Sequence, residues 1–156
     1  HDGQLYCVSP WVLVWENGNY YLIAYTEGRL KHYRVDKMQS VHQLPGTVRE
    51  GAAEYADFDV NTYMQQMFGM FNGPCKRVTL LCENRFAGAM IDRFGTVPIL
   101  VPCPDGEHFK ITVDIQVSPQ FFGWVAGFGA GVSVSGPPEV RAEMKKTLDR
   151  IQEIYR

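Results

Sequence analysis

The sequence predicts two modules of different architecture, a small all-β piece followed by an α+β piece. Three observations carry that prediction. Residues 9–38 hold three β-like runs separated by the turn dipeptides Asn17-Gly18 and Glu27-Gly28. Residues 43–57 lose periodicity around Pro45-Gly46 and Gly51-Ala52-Ala53. From Lys76 onward, runs of period 2 alternate with runs of helical period, as in strands interleaved with helices. The expected division is a β module over 1–56, a linking helix within 57–75 and an α+β domain over 76–156.

In the first module, residues 5–15 read as an extended run. Pro10 places that run at a sheet edge or a bulge, because proline cannot donate to a ladder. Asn17-Gly18 supplies the positive φ that both central positions of a type I′ turn need. Residues 20–26 then form a second strand, Glu27-Gly28 a second turn, and residues 30–41 a third strand. Short consecutive strands joined by tight turns predict a small barrel or curled meander. Residues 43–57 read as a loop. Asp59 is placed to cap a helix through Tyr63, Met67 and Met70, ending near Gly73-Pro74.

In the second module, residues 78–82 form a strand. Asn84 is placed to cap a helix with Phe86, Met90, Ile91 and Phe94 on one face, stopped by Gly95. Residues 97–101 form a strand, and Pro104-Asp105-Gly106 a turn. Phe109, Ile111, Val113, Ile115 and Val117 alternate with polar residues, as in a half-buried strand. Ser118-Pro119 opens a helix whose Phe121, Trp124, Val125 and Phe128 lie on a core stripe, with Gly129 at its end. Residues 132–134 form a short strand, and Pro138 opens a last helix with a stripe of Val140, Met144, Leu148, Ile151 and Tyr155. The order is β-α-β-β-α-β plus an extra C-terminal helix, the ferredoxin-like split βαβ arrangement.

Composition narrows the function classes. The 156 residues are 46% hydrophobic and 13% aromatic, enough for a core and against disorder. A net charge of −2 argues against a chain that is basic throughout for nucleic acid, so any basic site is local. Arg29, Lys31, Arg34 and Lys37 cluster against Asp36 alone, while residues 50–59 carry Glu50, Glu54, Asp57 and Asp59. Cys7, Cys75, Cys82 and Cys103 form no CxxC pair and have no histidine at ligand spacing, which argues against zinc and for reduced thiols in the cytoplasm. No long apolar run or signal peptide predicts a membrane span or secretion. The opening His1-Asp2-Gly3, without Met, is compatible with a piece of a longer protein. GxSxG, HExxH and P-loop motifs are absent, so the sequence offers no enzyme reading.

The third strand concentrates the chemistry. Tyr33 and Val35 take the core side, which sends His32 and Arg34 outward. Strict alternation puts Met38 on the Arg34 side, although its side chain belongs in a core. A β-bulge near Asp36 resolves this and brings Lys37 beside Arg34. Arg34 then offers a planar fork that grips phosphate in two places, and Lys37 adds a point charge. His32 can bond or stack, and Tyr20 or Tyr21 on the neighbouring strand presents a ring face to a base. The competing reading is a solvated strand face with a salt bridge involving Asp36.

This stretch resembles the WYL domain of bacterial transcriptional regulators. Pro10 leads the first run, and Tyr20-Tyr21-Leu22 stands where the family has an aromatic-Tyr-Leu. Lys31-His32-Tyr33-Arg34-Val35-Asp36-Lys37-Met38 is similar to the family's Arg-x-Phe-Arg-Leu-Asp-Arg-Ile, with Arg34 kept and Lys31 and Lys37 at the outer arginine positions. Lysine keeps the charge there but loses the bidentate grip. Residues 91–95, 124–129 and 137–140 resemble the WCX extension that follows many WYL domains. The resemblance implies an Sm- or SH3-like barrel, a WCX-like second domain and effector sensing within a helix-turn-helix regulator. The implied effector is a single-stranded nucleic acid or nucleotide-like anion, held by Tyr20, Tyr21, Lys31, His32, Arg34 and Lys37. Double-stranded DNA would be met through a helix-turn-helix domain absent from this sequence, within a homodimer and with no cofactor, metal or membrane. Two other readings stay open. One is a protein-interaction or dimerisation module whose basic strand meets an acidic segment such as 50–59. The other is a sensor of an uncharged metabolite, which needs an enclosed pocket.

Overall fold

Both turn dipeptides take the backbone their composition predicts. Asn17 and Gly18 have φ of 49° and 77°, and Glu27 and Gly28 have 50° and 78°. They join β1 (Ser9–Glu16), β2 (Asn19–Thr26) and β3 (Arg29–Arg34) into an antiparallel sheet of order β1-β2-β3. The computed structural model describes residues 4–156, so the first three residues of the expected first module lie outside the described residues. A register break between Pro10 and Val12 puts a bulge where Pro10 predicts one. Among the described residues this sheet is an open three-stranded meander, one of the two forms the short strands and tight turns predict, and no barrel is closed.

β3 is shorter than expected. Arg34 pairs with Tyr21, and β2 begins at Asn19, so a strand continued to residue 41 would outrun its partner. Val35–Lys37 instead forms one 3-10 turn, in which Met38 N–H donates to the Val35 carbonyl at 3.1 Å. That turn takes the place of the expected bulge near Asp36. The expected loop at 43–57 contains a short helix, α1 (Ala52–Ala56). Its entry residue Gly51 has φ +81°, and a Cβ there would lie 2.4 Å from Tyr25 Cγ. Glycine therefore lets the chain fold back onto Tyr25. Trp11 stacks on Tyr55 at 4.5 Å, and its Nε1 donates to the Glu50 carbonyl at 3.0 Å. Arg49 lies 3.8 Å from the centroid of the Trp11 ring.

The chain divides into two units, His1–Asp59 and Val60–Arg156. The second opens with α2 (Val60–Gln66), which stops well before Gly73. Gly69 and Met70 both have positive φ, 60° and 61°, which an α-helix cannot accommodate. Met67, Phe68 and Met70 are buried. There follow β4 (Cys75–Glu83), α3 (Ala87–Phe94), β5 (Leu100–Pro102), β6 (His108–Gln116), α4 (Pro119–Ala126), β7 (Val132–Gly136) and α5 (Pro138–Ile154). The sheet is antiparallel throughout, with order β5-β6-β4-β7.

Alternation on β6 is as expected: Phe109, Ile111, Val113 and Ile115 are buried and Lys110, Thr112 and Asp114 exposed. Each such buried side chain contributes about 1.5–3 kcal/mol relative to exposure. They meet Val78, Leu80 and Cys82 of β4, Met90 and Phe94 of α3, and Phe121 and Val125 of α4. The Ser118 hydroxyl accepts from Phe121 N–H at 3.3 Å and caps α4. Asn84 does not cap: a 3-10 turn (Asn84–Phe86) precedes α3, and the Asn84 amide donates to the Gly106 carbonyl at 2.9 Å. α4 ends at Gly127, before Gly129. The apolar stripe of α5 is covered at Val140 and partly at Met144, but Leu148, Ile151 and Tyr155 are exposed. No helix of the described residues is long and apolar enough to cross a membrane.

Candidate functional site

Register decides which candidate residues share a face. Opposed residues of an antiparallel pair point to the same side, and neighbours along a strand to opposite sides. Tyr21 opposes Arg34 and Ile23 opposes His32, which puts Tyr21, His32 and Arg34 on one face with Asn19. Leu22 opposes Tyr33 and Ala24 opposes Lys31, so Lys31 lies on the other face. Tyr20 joins that second face and opposes Trp15, with the two rings 4.6 Å apart edge-on. Lys37 sits in the 3-10 turn beyond β3. The six residues singled out from the sequence are close in the chain but are not brought to a single face.

The expected core side is only part of the core: Ala24 is buried on the Tyr33 face, where Tyr33 is half-buried, but Val14 and Ile23 are buried on the Arg34 face and Val35 is exposed in the turn. Leu13, Trp15 and Tyr20 form an exposed strip on the Tyr33 side, at 60%, 59% and 54% exposure. Among the described residues the Tyr33 hydroxyl is buried without a hydrogen-bond partner, and burial pushes its pKa up.

Arg34 is the hub of the first face. Its Nε donates to Asp36 Oδ1 at 3.0 Å and its Nη2 to Asp36 Oδ2 at 2.9 Å, a two-point grip. Nη2 also donates to Asn19 Oδ1 at 2.6 Å. Lys37 Nζ lies 3.8 Å from the same Asp36 carboxylate. The hydrogen bonds from Arg34 hold the Asp36 carboxyl below the usual carboxylate range, and the same pair raises the Arg34 pKa. On the other face Lys31 pairs with Glu27, whose carboxyl is lowered by that hydrogen bond. The salt bridge to Asp36 that competed with the anion reading is therefore formed. The geometry that grips a carboxylate is also the one that grips a phosphate.

Asn19 escapes a reading by residue type, yet it anchors Arg34. Its position was accessible in principle, since it follows the Asn17-Gly18 turn by one residue and shares a face with Tyr21. Elsewhere, a cleft of about 430 Å³ is lined by Glu83, Asn84, Arg85, Gly106, Glu107 and His108. Arg85 pairs with Glu83 at 2.6 Å, and His108 Nδ1 lies 2.9 Å from Asp105 Oδ2. Among the described residues no cluster of three His, Cys, Asp or Glu side chains could hold a metal. Arg93 is placed structurally, donating to the Met67 carbonyl and lying 4.2 Å from the Phe68 ring centroid.

Comparison with known proteins follows the same division. The WYL domain matches residues 1–43 and the WCX domain residues 76–152. No curated protein matches the chain. Among solved structures, the proteasome accessory factor B/C (PafBC) of Arthrobacter aurescens is similar at 23% identity and a TM-score of 0.39. The match covers 88% of this chain and 21% of that one, so the chain spans about a fifth of that protein's length. The chain thus carries a WYL domain followed by a WCX domain, in the order its sequence resembles.

Proposed function

We propose that this chain is the effector-sensing part of a bacterial transcriptional regulator. In this reading the WYL domain takes a single-stranded nucleic acid or a nucleotide-like anion at the Arg34 end of β3. The observation that carries it is the Arg34 guanidinium, held at the strand end by Asn19 and already gripping an oxyanion, the Asp36 carboxylate. Lys37 lies beside that carboxylate, and Tyr21 and His32 share the Arg34 face. Tyr20 and Lys31 lie on the opposite face, so their part in binding would need a ligand that passes around the edge strand β3. On the strength of the WYL match we assign the three-stranded sheet to the Sm- or SH3-like barrel class. The strand order β5-β6-β4-β7 supports a ferredoxin-like WCX domain. Effector binding would bias the arrangement of a homodimer and so a DNA-binding domain elsewhere in the regulator.

The test is fluorescence anisotropy of a short labelled single-stranded oligonucleotide across a salt series, beside Arg34→Ala and Lys37→Ala. Saturable binding that Arg34→Ala loses is expected, with a log–log salt slope of about −0.7 per phosphate contact. Binding that ignores both substitutions would move the site elsewhere. The rival interaction module draws on the acidic segment 50–59. Part of that segment is engaged within its own unit, where Glu54 accepts from the Tyr25 hydroxyl at 3.1 Å and the Glu50 carbonyl accepts from Trp11.

A further inference from the structure

Arg34 meets Asp36 through two parallel N–H···O bonds of 3.0 and 2.9 Å. Lys37 approaches the same carboxylate at 3.8 Å. Both cations that an anionic ligand would use are therefore turned toward a carboxylate that the chain itself supplies. We infer that Asp36 is an internal stand-in for the ligand, so that the site admits phosphate-bearing anions and turns away simple carboxylates. The inference rests on the reading of Arg34 as the anion anchor.

The argument is one of competition. Asp36 lies two residues from Arg34, and a group on so short a tether has an effective concentration of about millimolar or more. A free carboxylate offers Arg34 the same two-point contact and no advantage over the tethered one, so at lower concentration it cannot displace Asp36. A nucleic-acid strand brings neighbouring phosphates to Lys37 and releases counterions, neither of which Asp36 can match. Asn19 accepts from Nη2 at 2.6 Å and keeps the guanidinium in place while the exchange occurs. Asp36 belongs to the Val35–Lys37 turn, closed by the Met38 N–H to Val35 carbonyl bond.

The experiment compares the chain with Asp36→Ala, Arg34→Ala and Glu139→Gln. The probes are a labelled oligothymidylate read by anisotropy, and citrate as its competitor. Asp36→Ala is expected to bind the oligonucleotide about three-fold tighter, the scale of one exposed ion pair. It should also let citrate compete at concentrations that leave the unmodified chain untouched. Glu139→Gln removes a carboxylate that pairs with Lys76 in the second unit, and it should change nothing. An equal gain in Glu139→Gln would reduce the effect to net charge and overturn the inference. Unchanged or weaker binding by Asp36→Ala, with Arg34→Ala inactive, would also overturn it, since Asp36 would then be positioning Arg34. If neither the unmodified chain nor Asp36→Ala binds, or if Arg34→Ala binds as well as both, the anchor reading itself falls and takes the inference with it.

Discussion

The two units reach order by different means. In the second, four strands and the helices against them bury Val78, Leu80, Ile111, Ile115, Phe121 and Val125 completely. In the first, only Val14, Ile23 and Ala24 are buried hydrophobics among the described residues, and Leu13, Trp15 and Tyr20 are exposed. What supports the first unit is a set of specific polar and ring contacts: Trp11 with Tyr55 and Glu50, Tyr25 with Glu54, Arg34 with Asp36 and Asn19. A dense core tolerates little, whereas a thin sheet held by directional contacts can exchange one partner for a ligand. That difference is what the proposed effector site in the first unit would draw on.

Core truncations probe the contrast most strongly. Phe121→Ala should cost about 3–5 kcal/mol by urea unfolding, because Phe121 is fully buried and packs on Phe68 and Phe122. Ile23→Ala should cost about 2 kcal/mol, the low end for its type, because so thin a sheet can close around the gap. Equal costs would break the comparison. Gly51→Ala comes next, at about 1–2 kcal/mol, since the new methyl meets the Tyr25 ring at a positive φ. Loss of the Trp11–Tyr55 stacking contact, followed by tryptophan fluorescence, would show that the return segment has lifted.

Thiol labelling sharpens the same contrast kinetically. Cys7 is exposed, while Cys82 is fully buried and its thiol is pushed up to about 11 by burial. At pH 8 Cys7 should react with a thiol reagent at once. Cys82, with a thiolate fraction of about one in a thousand, should react only as the second unit opens. Rapid labelling of Cys82 would mean that this core is not tight.

The smallest effect is acid titration at Asp105. Its carboxylate accepts from the Glu107 and His108 N–H groups at 2.9 and 3.0 Å, which lowers its pKa, the Glu107 bond most. Because the folded pKa lies below the unfolded one, the contribution is complete above the ordinary carboxylate range. It is lost as pH falls through the folded value. Carboxyl NMR should show Asp105 titrating below the ordinary aspartate value of about 3.9. A normal titration would mean that the turn is open in solution.

Much of this molecule was legible beforehand, and for local reasons. Positive-φ dipeptides predicted both hairpin turns, period-2 alternation predicted β6, and Ser118-Pro119 predicted the start of α4. Each depends on residues within a few positions of one another. The Arg-Asp-Lys order in residues 34–37 likewise carried the salt bridge and the WYL resemblance.

What local pattern could not decide was pairing. The end of β3 at Arg34 follows from where its partner β2 begins, a fact of register rather than of composition. The same register splits Tyr20 and Lys31 from Tyr21, His32 and Arg34, because a one-residue offset in a strand reverses the face. Gly51 lies against Tyr25 across 26 positions of chain, and Asn19 against Arg34 across 15. Sequence by itself determined both hairpin turns, most of the strands and helices, the charge cluster and the family resemblance. Only the tertiary structure decided which of those charges share a face and which are already paired, because that depends on distances between strands that no spacing along one strand encodes.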